Sequence, residues 1–328
     1  MEAVMSAKQA EASLKLFALN SNPKLAEEVA QELGVPLSKA SVNHFSDGEI
    51  QISINESIRG DDVFVIQSIS DPVNENFMEL MIMIDALRRS SAGTINLVIP
   101  YYGYARADRK ARAREPITAK LIANFLELVG ADRVITMDLH ADQLQGFFNI
   151  PVDHLLAIFV QAEYFVKKGI TNDVVIVAPD HNGVKIARNL ATLLKAPLAI
   201  VDKREEGLSR SDENLTIIGD VKNRRCIVFD DLIDTGEKMI DAVRSLKSAG
   251  ATDVYACSTH PIFSKGAVEK LQNSDYTEIV VTDTIEVPAT KKIPKLKILS
   301  VAPTFAKAID LIFNNRSVDS LFNKKHTV

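Results

Sequence analysis

Short apolar runs alternate with longer amphipathic stretches along most of this 328-residue chain. In residues 62–68, 95–100, 133–137 and 173–178, apolar side chains follow one another with few interruptions. Such runs are typical of strands that are buried on both faces of a parallel sheet. Segments with helical spacing separate the runs. Because strands and helices alternate, the pattern predicts an α/β fold with mainly parallel, doubly wound sheets.

The same pattern predicts the order of the elements. Strands are predicted at residues 14–19, 50–54, 62–68, 95–100, 133–137, 173–178, 197–201, 226–229, 253–257, 278–281 and 296–300. Helices are predicted at residues 23–33, 74–89, 117–129, 155–168, 184–194, 238–249, 265–271 and 304–313. Residues 44–49 read as a polar turn, 143–152 as an irregular connection, 214–218 as part of a hairpin, and 1–12 as a loose or weakly helical extension.

The stretch 225–238 contains an apolar run that ends in Asp230 and Asp231. A turn with Asp234 and Thr235 then leads into the next helix. Open α/β sheets bind ligands at the carboxyl ends of their strands, and the free N–H groups of a helix start suit a phosphate. The paired acids suit ribose hydroxyls or a Mg²⁺ beside the phosphate. The stretch indicates a ribose-phosphate site, and an ordinary βα turn with an acidic cap is the alternative.

The two halves of the chain repeat the series of buried strand, charged loop and helix, which suggests two similar domains. The length and a hydrophobic content of 46% are sufficient for two cores. We expect a first domain at residues 1–150 and a second at 151–303, with the tail 304–328 packing on the first.

The overall charge and the cysteines limit the class of protein. A net charge of −5 argues against a general nucleic-acid binder. The two cysteines, Cys226 and Cys257, lie inside apolar runs and read as buried thiols of a reducing compartment. No apolar run approaches the ~20 residues that a membrane span needs, and the first residues do not resemble a signal peptide. These features predict a cytoplasmic protein without membrane partners.

A basic loop is the second candidate site. Between residues 106 and 114 it carries five positively charged side chains, which are Arg106, Arg109, Lys110, Arg112 and Arg114. Because these charges repel one another and the loop follows a strand end, the segment favours a polyphosphate ligand. A solvated charge run or an RNA-binding patch with nearby tyrosines for base stacking is the alternative. The acidic total favours a nucleotide over RNA.

Acidic and imidazole groups follow two other buried strands. Asp138 and His140 come after the run 133–137, and Asp180 and His181 follow the run 173–178. Such groups at strand ends can hold a divalent cation, and the alternative for each is a capping acid beside a structural histidine. Lys203, just past another strand, is either a surface residue or a point charge for a transferring phosphoryl group.

Several longer motifs together resemble one family, the class I ribose-phosphate pyrophosphokinases, also called phosphoribosyl pyrophosphate synthetases. The motifs stand in the family's order from residue 14 to the tail 317–322. They are Phe45-Ser46-Asp47-Gly48-Glu49, Tyr102-Gly103-Tyr104-Ala105-Arg106, Pro116-Ile117-Thr118-Ala119-Lys120, Asp138-Leu139-His140-Ala141, Gln145-Gly146-Phe147-Phe148 and Asp230-Asp231-Leu232-Ile233-Asp234-Thr235. The last of these motifs is shared with phosphoribosyltransferases, and the others separate the two families.

The resemblance implies a function and an assembly. Members of the family transfer the β,γ-diphosphoryl group of ATP to the 1-hydroxyl of ribose 5-phosphate with Mg²⁺, which gives AMP and phosphoribosyl pyrophosphate for nucleotide biosynthesis. Their fold is two phosphoribosyltransferase-like domains, and they assemble as hexamers from dimers. The partners implied here are therefore ATP, ribose 5-phosphate and further copies of the chain.

The resemblance also assigns roles to residues. The residues implied for ATP are Phe45, Asp47, Gly48, Glu49, Arg106, Ala107, Asp108 and His140, with adenine held across a subunit interface. Those implied for ribose 5-phosphate are Asp230, Asp231, Asp234, Thr235, Gly236, Glu237 and Lys238. His140 and Asp180 are implied at the Mg²⁺ sites, and Lys203 and Arg204 as the catalytic cations.

The chain departs from the family's pattern at five positions that bear on these roles, which are Ala107, Asn182, Glu205, Glu237 and Lys238. Glu205 and Glu237 place negative charge where the substrate carries negative charge, and Glu237 adds a side chain where bare backbone approaches a phosphate. Lys238 and Arg204 are candidates for compensating cations. The departures leave a second function open, a weak or non-catalytic paralogue that binds nucleotide and co-assembles with a complete synthetase.

Overall fold

The computed structural model of the chain describes residues 12–203 and 215–322. Its strands are β1 Leu14–Ala18, β2 Ala40–His44, β3 Ile50–Ile54, β4 Asp62–Ile66, β5 Thr94–Ile99, β6 Arg133–Met137, β7 Val152–Leu155, β8 Val174–Ala178, β9 Leu198–Lys203, β10 Leu215–Ile218, β11 Arg225–Ile233, β12 Val254–Pro261, β13 Glu278–Thr282 and β14 Leu296–Leu299. Its α-helices are α1 Pro23–Leu33, α2 Val73–Arg89, α3 Thr118–Val129, α4 Ile158–Lys167, α5 Val184–Leu193, α6 Glu237–Ser248, α7 Ala267–Gln272 and α8 Ala302–Phe313.

The strands form two large sheets and one hairpin. The first sheet has the order β1-β4-β5-β6-β7, and the second has the order β10-β9-β8-β11-β12-β13-β14. All pairs in these sheets are parallel except β9 with β10. β2 and β3 form a separate antiparallel hairpin. The predicted α/β class with mainly parallel sheets is therefore confirmed.

Two strands were missed because their sequences are not apolar. β2, with the sequence Ala-Ser-Val-Asn-His, lies in a hairpin of which neither face is fully buried. β7 contains Asp153 and His154, and both are buried. A guanidinium nitrogen of Arg133 lies 2.6 Å from Asp153, and the backbone N–H of Leu139 donates to His154 Nε2 at 2.8 Å. These partners satisfy the polar groups, so β7 forms an edge strand of the first sheet although its pattern predicts an irregular connection.

Each sheet is covered by helices on both faces. One hydrophobic cluster of the first sheet joins Phe17 and Val65 to α2 and α3, and the opposite one joins Leu16 and Phe64 to α1 and α8. Helix α8, the last α-helix of the described residues, thus packs on the first sheet. α4 packs on the second sheet. The expected boundary at residue 150 precedes β7, and we propose that the first domain continues through β7 and ends before α4.

The two sheets are joined by hydrogen bonds at the carboxyl ends of their strands. The Asn22 amide donates to the carbonyl oxygen of Asp283, and the Ser68 hydroxyl donates to that of Thr284, each at 2.6 Å. Each hydrogen bond of this kind stabilises by about 1 kcal/mol net. Because they join residues more than 200 positions apart in sequence, they fix the relative position of the two carboxyl edges.

The length and hydropathy of the described helices show whether any of them could cross a membrane. Within residues 12–203 and 215–322, no helix combines the length and the apolar character that crossing a bilayer requires. Cys226 and Cys257 are free and buried, as their apolar surroundings predict.

Candidate active site at the converging strand ends

Strand β11 presents the two acids of the central motif within the strand itself. The strand continues past both acids, since Leu232 and Ile233 still pair with β12. Successive side chains of a strand point to opposite faces, so Asp230 and Asp231 face different surroundings. Asp230 is buried with 5% of its surface exposed, whereas Asp231 lies at the junction with the first domain.

Asp231 pairs with a residue of the first domain. Its Oδ2 lies 2.5 Å from Nδ1 of His140. Burial acts to raise the pKa of Asp231, but the hydrogen bond and charge of His140 bring it below the ordinary value. The same hydrogen bond, acting against burial, raises the pKa of His140. Each side chain of the pair therefore favours the charged form of the other.

A second ion pair joins the two domains beside the first. A guanidinium nitrogen of Arg106, in the basic loop, lies 2.6 Å from Oδ2 of Asp234. Burial acts to lower the pKa of Arg106, and the hydrogen bond and nearby acids raise it overall. Arg106 is thus held at the ribose-phosphate motif, so the loop predicted for polyphosphate and the motif predicted for ribose phosphate lie together.

Asp230 belongs to a different cluster inside the second domain. Lys238 places its ammonium nitrogen 2.8 Å from Asp180 and 3.2 Å from Asp230. Burial and then the charge of Asp231 raise the pKa of Asp230 to about 7, although Lys238 opposes them. Burial acts to raise the pKa of Asp180 too, but Lys238 and the backbone N–H of Gly183 bring it below the ordinary value. The pKa of Lys238 is raised to about 12, because the two acids outweigh the effect of burial.

The turn between β11 and α6 brings a helix start next to these acids. Gly236 has a φ of +77°, a left-handed conformation that favours glycine, and directly precedes the helix. Glu237 is the first helical residue and forms an ion pair with Lys270 of α7. The acid that departs from the family's pattern is therefore partly neutralised. The first N–H groups of α6 remain a suitable site for a phosphate.

The rest of the basic loop is a turn held by its own acids. Glu115 accepts backbone N–H bonds from Ala111 and Arg112 at 3.0 and 2.9 Å. Asp108 accepts from the amide of Gln143 at 3.2 Å, and the backbone N–H of Ala107 donates to the Tyr104 carbonyl at 2.9 Å. The other four cations of the loop, Arg109, Lys110, Arg112 and Arg114, have exposed side chains.

Two of the three tyrosines of this region, Tyr101 and Tyr102, are buried and not available to stack bases. Tyr102 is buried and donates to the carbonyl oxygen of Ala119 at 3.0 Å, and the buried ring of Tyr101 lies 5.0 Å from the ring of His260. Their role in the structure is packing, which weighs against the RNA-binding alternative.

The motif implied for adenine lies at the tip of the β2–β3 hairpin. Phe45 is 52% exposed, and Asp47, Gly48 and Glu49 are exposed beside it. The turn is closed by backbone bonds from Phe45 to Glu49 and from Gly48 to Phe45, at 2.8 and 2.9 Å. None of the contacts found in the described part of the chain joins this tip to Arg106 or to the acids of β11.

The end of β2 next to this tip is tied to α2. His44 Nε2 lies 3.1 Å from a carboxylate oxygen of Glu75. The buried carboxylate of Glu79, one turn further, comes within 4.8 Å of both. Its oxygens accept hydrogen bonds from the amides of Asn20 and Gln67, at 2.7 and 3.0 Å. Neutral amides hold this acid, so we interpret the group as part of the fold.

Two other sequence candidates take structural roles. Asp138 lies at the domain junction, where its carboxylate accepts from the Thr259 hydroxyl at 2.6 Å and from the Ala157 N–H at 3.2 Å. Burial raises its pKa to about 6. His181 lies 2.7 Å from Asp202. Asp138 and His181 therefore follow the structural alternative, while His140 and Asp180 each lie at a cluster of the site.

One histidine of the junction escaped sequence reasoning, because the predicted strand stopped at Cys257. His260 lies on β12, is buried, and places Nδ1 2.9 Å from the Thr284 hydroxyl and Nε2 3.1 Å from the Asp138 carbonyl oxygen. Lys203 ends β9, but its side chain lies outside the described residues, as do Arg204 and Glu205.

Two parallel sheets whose carboxyl edges converge on acids, an imidazole and a helix start define an α/β protein of the class that binds phosphorylated sugars or nucleotides. Residues 14–130 match the model of the N-terminal domain of ribose phosphate pyrophosphokinase, and residues 204–323 match the phosphoribosyl synthetase-associated domain.

Whole-chain relatives agree with these matches. A putative ribose-phosphate pyrophosphokinase 2 from Lactiplantibacillus plantarum is 58% identical over 98% of this chain and 100% of its own length. A ribose-phosphate pyrophosphokinase from Bacillus cereus is 56% identical over 97% and 100%. The crystal structure of phosphoribosylpyrophosphate synthetase from Mycobacterium smegmatis superposes with a TM-score of 0.88 at 41% identity, covering 92% of this chain and 99% of that one. The chain belongs to the ribose-phosphate pyrophosphokinase family.

Proposed function

We propose that this protein transfers the β,γ-diphosphoryl group of ATP to the 1-hydroxyl of ribose 5-phosphate, giving phosphoribosyl pyrophosphate and AMP. The observation that carries the proposal is identity of 56–58% to ribose-phosphate pyrophosphokinases over almost the whole chain. The alternative of a non-catalytic subunit finds no support in these relatives. Nucleotide biosynthesis is the process that would consume the product.

Ribose 5-phosphate fits the β11 end of the site. We propose that Asp230 and Asp231 accept hydrogen bonds from the ribose hydroxyls, since an ionised carboxylate offers two acceptor oxygens and no donor. The segment 234–238 would receive the 5-phosphate, with the N–H groups at the start of α6 as donors. Arg106, which lies against Asp234, would then be close to both substrates.

ATP would reach the site from the first domain. We propose that Arg106, Ala107, Asp108 and His140 contact its phosphates. Phe45, Asp47, Gly48 and Glu49 would hold adenine. Because the hairpin tip is exposed and has no contact with the rest of the site in the described residues, its adenine would belong to the site of a neighbouring copy, in a hexamer built from dimers.

Mg²⁺ would be held at His140 and Asp180. Nδ1 of His140 faces the carboxylate of Asp231, which is how a metal-ligating histidine is usually oriented, with the other nitrogen left for the metal. In the described residues, no hydrogen bond occupies Nε2. Asp180 supplies the oxygen ligands that Mg²⁺ prefers. When bound, the ion neutralises charge on the transferring diphosphoryl group.

The residues of this chain contribute mainly position and charge. The oxygen of the 1-hydroxyl attacks the β-phosphorus of ATP and loses its proton, and the bond from that phosphorus to the oxygen of AMP breaks. Reactions of this kind depend on alignment and on stabilising negative charge. Asp230 and Asp231 would align the ribose, and Arg106 would bear on the phosphates. Lys203 and Arg204 would supply further positive charge, as the resemblance implies.

The test is the formation of AMP by the purified protein from ATP, ribose 5-phosphate and Mg²⁺, followed by chromatography. We expect AMP and phosphoribosyl pyrophosphate in equal amounts, and no AMP when ribose 5-phosphate is omitted. Absence of AMP under these conditions, with no binding of ribose 5-phosphate by calorimetry, would overturn the proposal. AMP formed equally without ribose 5-phosphate would indicate a different reaction.

A further inference from the structure

Lys238 is one of the five positions at which the chain departs from the family's pattern, and its ammonium points towards two acids although 53% of the side chain is exposed. It lies in the first turn of α6, and its ammonium reaches back over the strand ends to two acids. The nitrogen is 2.8 Å from Oδ2 of Asp180 and 3.2 Å from Oδ2 of Asp230. Asp180 lies two residues beyond the end of β8, Asp230 lies on β11, and these strands are neighbours in the second sheet. One cation therefore bridges two adjacent strand ends.

The two acids are arranged so that each needs a positive partner. Asp230 is buried, and Asp231 adds a second negative charge next to it in the chain. The Oδ1 atom of Asp180 accepts the N–H of Gly183 at 3.0 Å, so Oδ2 is the oxygen left for a cation. Carboxylates that converge in this way bind a divalent cation or a basic side chain, because unpaired buried charge is costly.

We propose that the ammonium of Lys238 takes the place of a divalent cation between Asp180 and Asp230. The inference rests on the proposed function in one respect, because the proposed function makes Asp180 a ligand of Mg²⁺. A divalent ion that binds at this pair must displace the ammonium or suffer its repulsion at a few ångströms. The chain thus has a built-in competitor for one of its own metal sites.

Lys238 also belongs to the segment 234–238, which is proposed to bind the 5-phosphate. The same residue carries one of the N–H groups at the helix start, close to where the 5-phosphate would bind. A phosphate there would compete with the two acids for the ammonium. We therefore expect the metal affinity of Asp180 to depend on the occupancy of the loop, which a neutral side chain at position 238 would not allow.

The test is binding of Mn²⁺ alone, counted by electron paramagnetic resonance of the free ion, without nucleotide or sugar. We expect Lys238→Thr to bind one more Mn²⁺ per chain than the original protein, or to bind it at least about tenfold more tightly. Lys238→Arg keeps the charge and should behave like the original protein. Lys238→Met provides a second neutral side chain of similar length in case the threonine variant does not fold.

Two further variants assign the effect. Lys270→Thr removes a cation of the same region that pairs with Glu237 and contacts neither acid, so its Mn²⁺ binding should not change. Asp180→Asn combined with Lys238→Thr should lose the gained ion. Equal Mn²⁺ binding by the original protein and by folded Lys238→Thr and Lys238→Met would overturn the inference, as would a gained ion that survives Asp180→Asn.

The outcome is independent of catalysis. If the original protein forms AMP and the neutral variants gain no Mn²⁺, the proposed function stands and the inference fails. If they gain the ion and the original protein forms no AMP, the inference stands and the function fails.

Discussion

Two halves of the site differ in what holds them together. The cross-domain half consists of the pairs Asp231–His140 and Asp234–Arg106, in which each acid of the second domain meets a base of the first. The within-domain half consists of Asp180, Asp230 and Lys238, all from the second domain. Neighbouring residues of one strand belong to different halves because their side chains point to opposite faces.

Asp230 and Asp231 are adjacent, but their pKa values are shifted in opposite directions because they belong to different halves of the site. The pKa of Asp231 is lowered, because a histidine reaches it across the domain junction. The pKa of Asp230 is raised to about 7, because burial and its neighbour's charge exceed what Lys238 offsets. The cross-domain half depends on how the two domains pack against each other, and the within-domain half depends on the sequence of one loop. Variants should separate these two dependences.

The largest effect should follow from breaking the cross-domain half at Asp231. Asp231→Asn removes the charged partner of His140 and an acceptor for ribose, so we expect kcat/KM for AMP formation to fall by about 10²–10³. Thermal unfolding should change little by comparison. The matched control is Asp220→Asn, at an acid on the surface that pairs with Arg224 at 3.5 Å and accepts the backbone N–H of Lys222 at 3.3 Å. Activity of Asp231→Asn within threefold of the control would contradict the assigned role.

The sequence predicted the within-domain half better than the cross-domain half. The acids of β11 and Asp180 follow buried apolar runs, and that pattern fixes which sheet edge they share. Which base meets which acid depends on how two domains dock, and no periodicity encodes it. His260 shows this limit. It is a polar residue near the end of β12, and the sequence pattern predicts that this strand ends at residue 257.

The extra strands show a related limit. β7 carries Asp153 and His154 and is buried only because Arg133 and the Leu139 N–H are present to satisfy them. A pattern of polar and apolar residues cannot anticipate partners supplied from elsewhere in the chain. Lys238 was recognised as a cation that could compensate for Glu237, but the structure pairs it with Asp180 and Asp230 and pairs Glu237 with Lys270.

The second-largest expected effect is on stability at low pH, and it comes from His260 at the junction between the domains. Burial lowers the pKa of His260 to about 4 from an ordinary value of 6.5. The unfolded chain therefore binds more protons between these values, so the contribution of His260 is complete above pH 6.5 and is lost as the pH falls towards 4. The difference corresponds to about 3 kcal/mol in the free energy of unfolding.

Urea unfolding of the original protein and of His260→Asn between pH 7 and 4 measures this contribution. The variant should be less stable at pH 7, and the gap should narrow by about 3 kcal/mol towards pH 4. Asp138 acts in the opposite direction, because its pKa is raised to about 6, but it is present in both proteins. Thr284→Val, which removes a partner of His260 but keeps the imidazole, should lower stability and retain the acid dependence. A gap independent of pH would contradict the buried neutral histidine.

A smaller effect is expected at the second cross-domain pair. Arg106→Ala removes the guanidinium that lies against Asp234, and with it a proposed contact to ATP. We expect KM for ATP to rise by about tenfold, with little change in stability because the pair is partly exposed. Arg109→Ala, an exposed arginine of the same loop, should change KM for ATP by less than about threefold. Equal effects of the two variants would mean that the loop acts only through its total charge.

The smallest effect tests the loop of the within-domain half. Glu237 places an acid at the start of α6, and Lys270 of α7 neutralises part of it. The side chains are 43% and 60% exposed for Lys270 and Glu237, so removing the lysine should cost less than about 1 kcal/mol of stability. The freed carboxylate should repel the 5-phosphate, and we expect Lys270→Met to raise KM for ribose 5-phosphate about two- to fivefold.

A double-mutant cycle decides whether this repulsion is the cause. Glu237→Gln in the Lys270→Met background should return KM for ribose 5-phosphate to the original value or below it, because neither charge then remains. Lys265→Met, at an exposed lysine just before α7, should leave KM unchanged. If the double variant keeps the raised KM, Lys270 acts on the phosphate directly and Glu237 does not oppose binding. The loop would then tolerate its acid because the ligand never approaches it, and the within-domain half would depend on Lys238 alone.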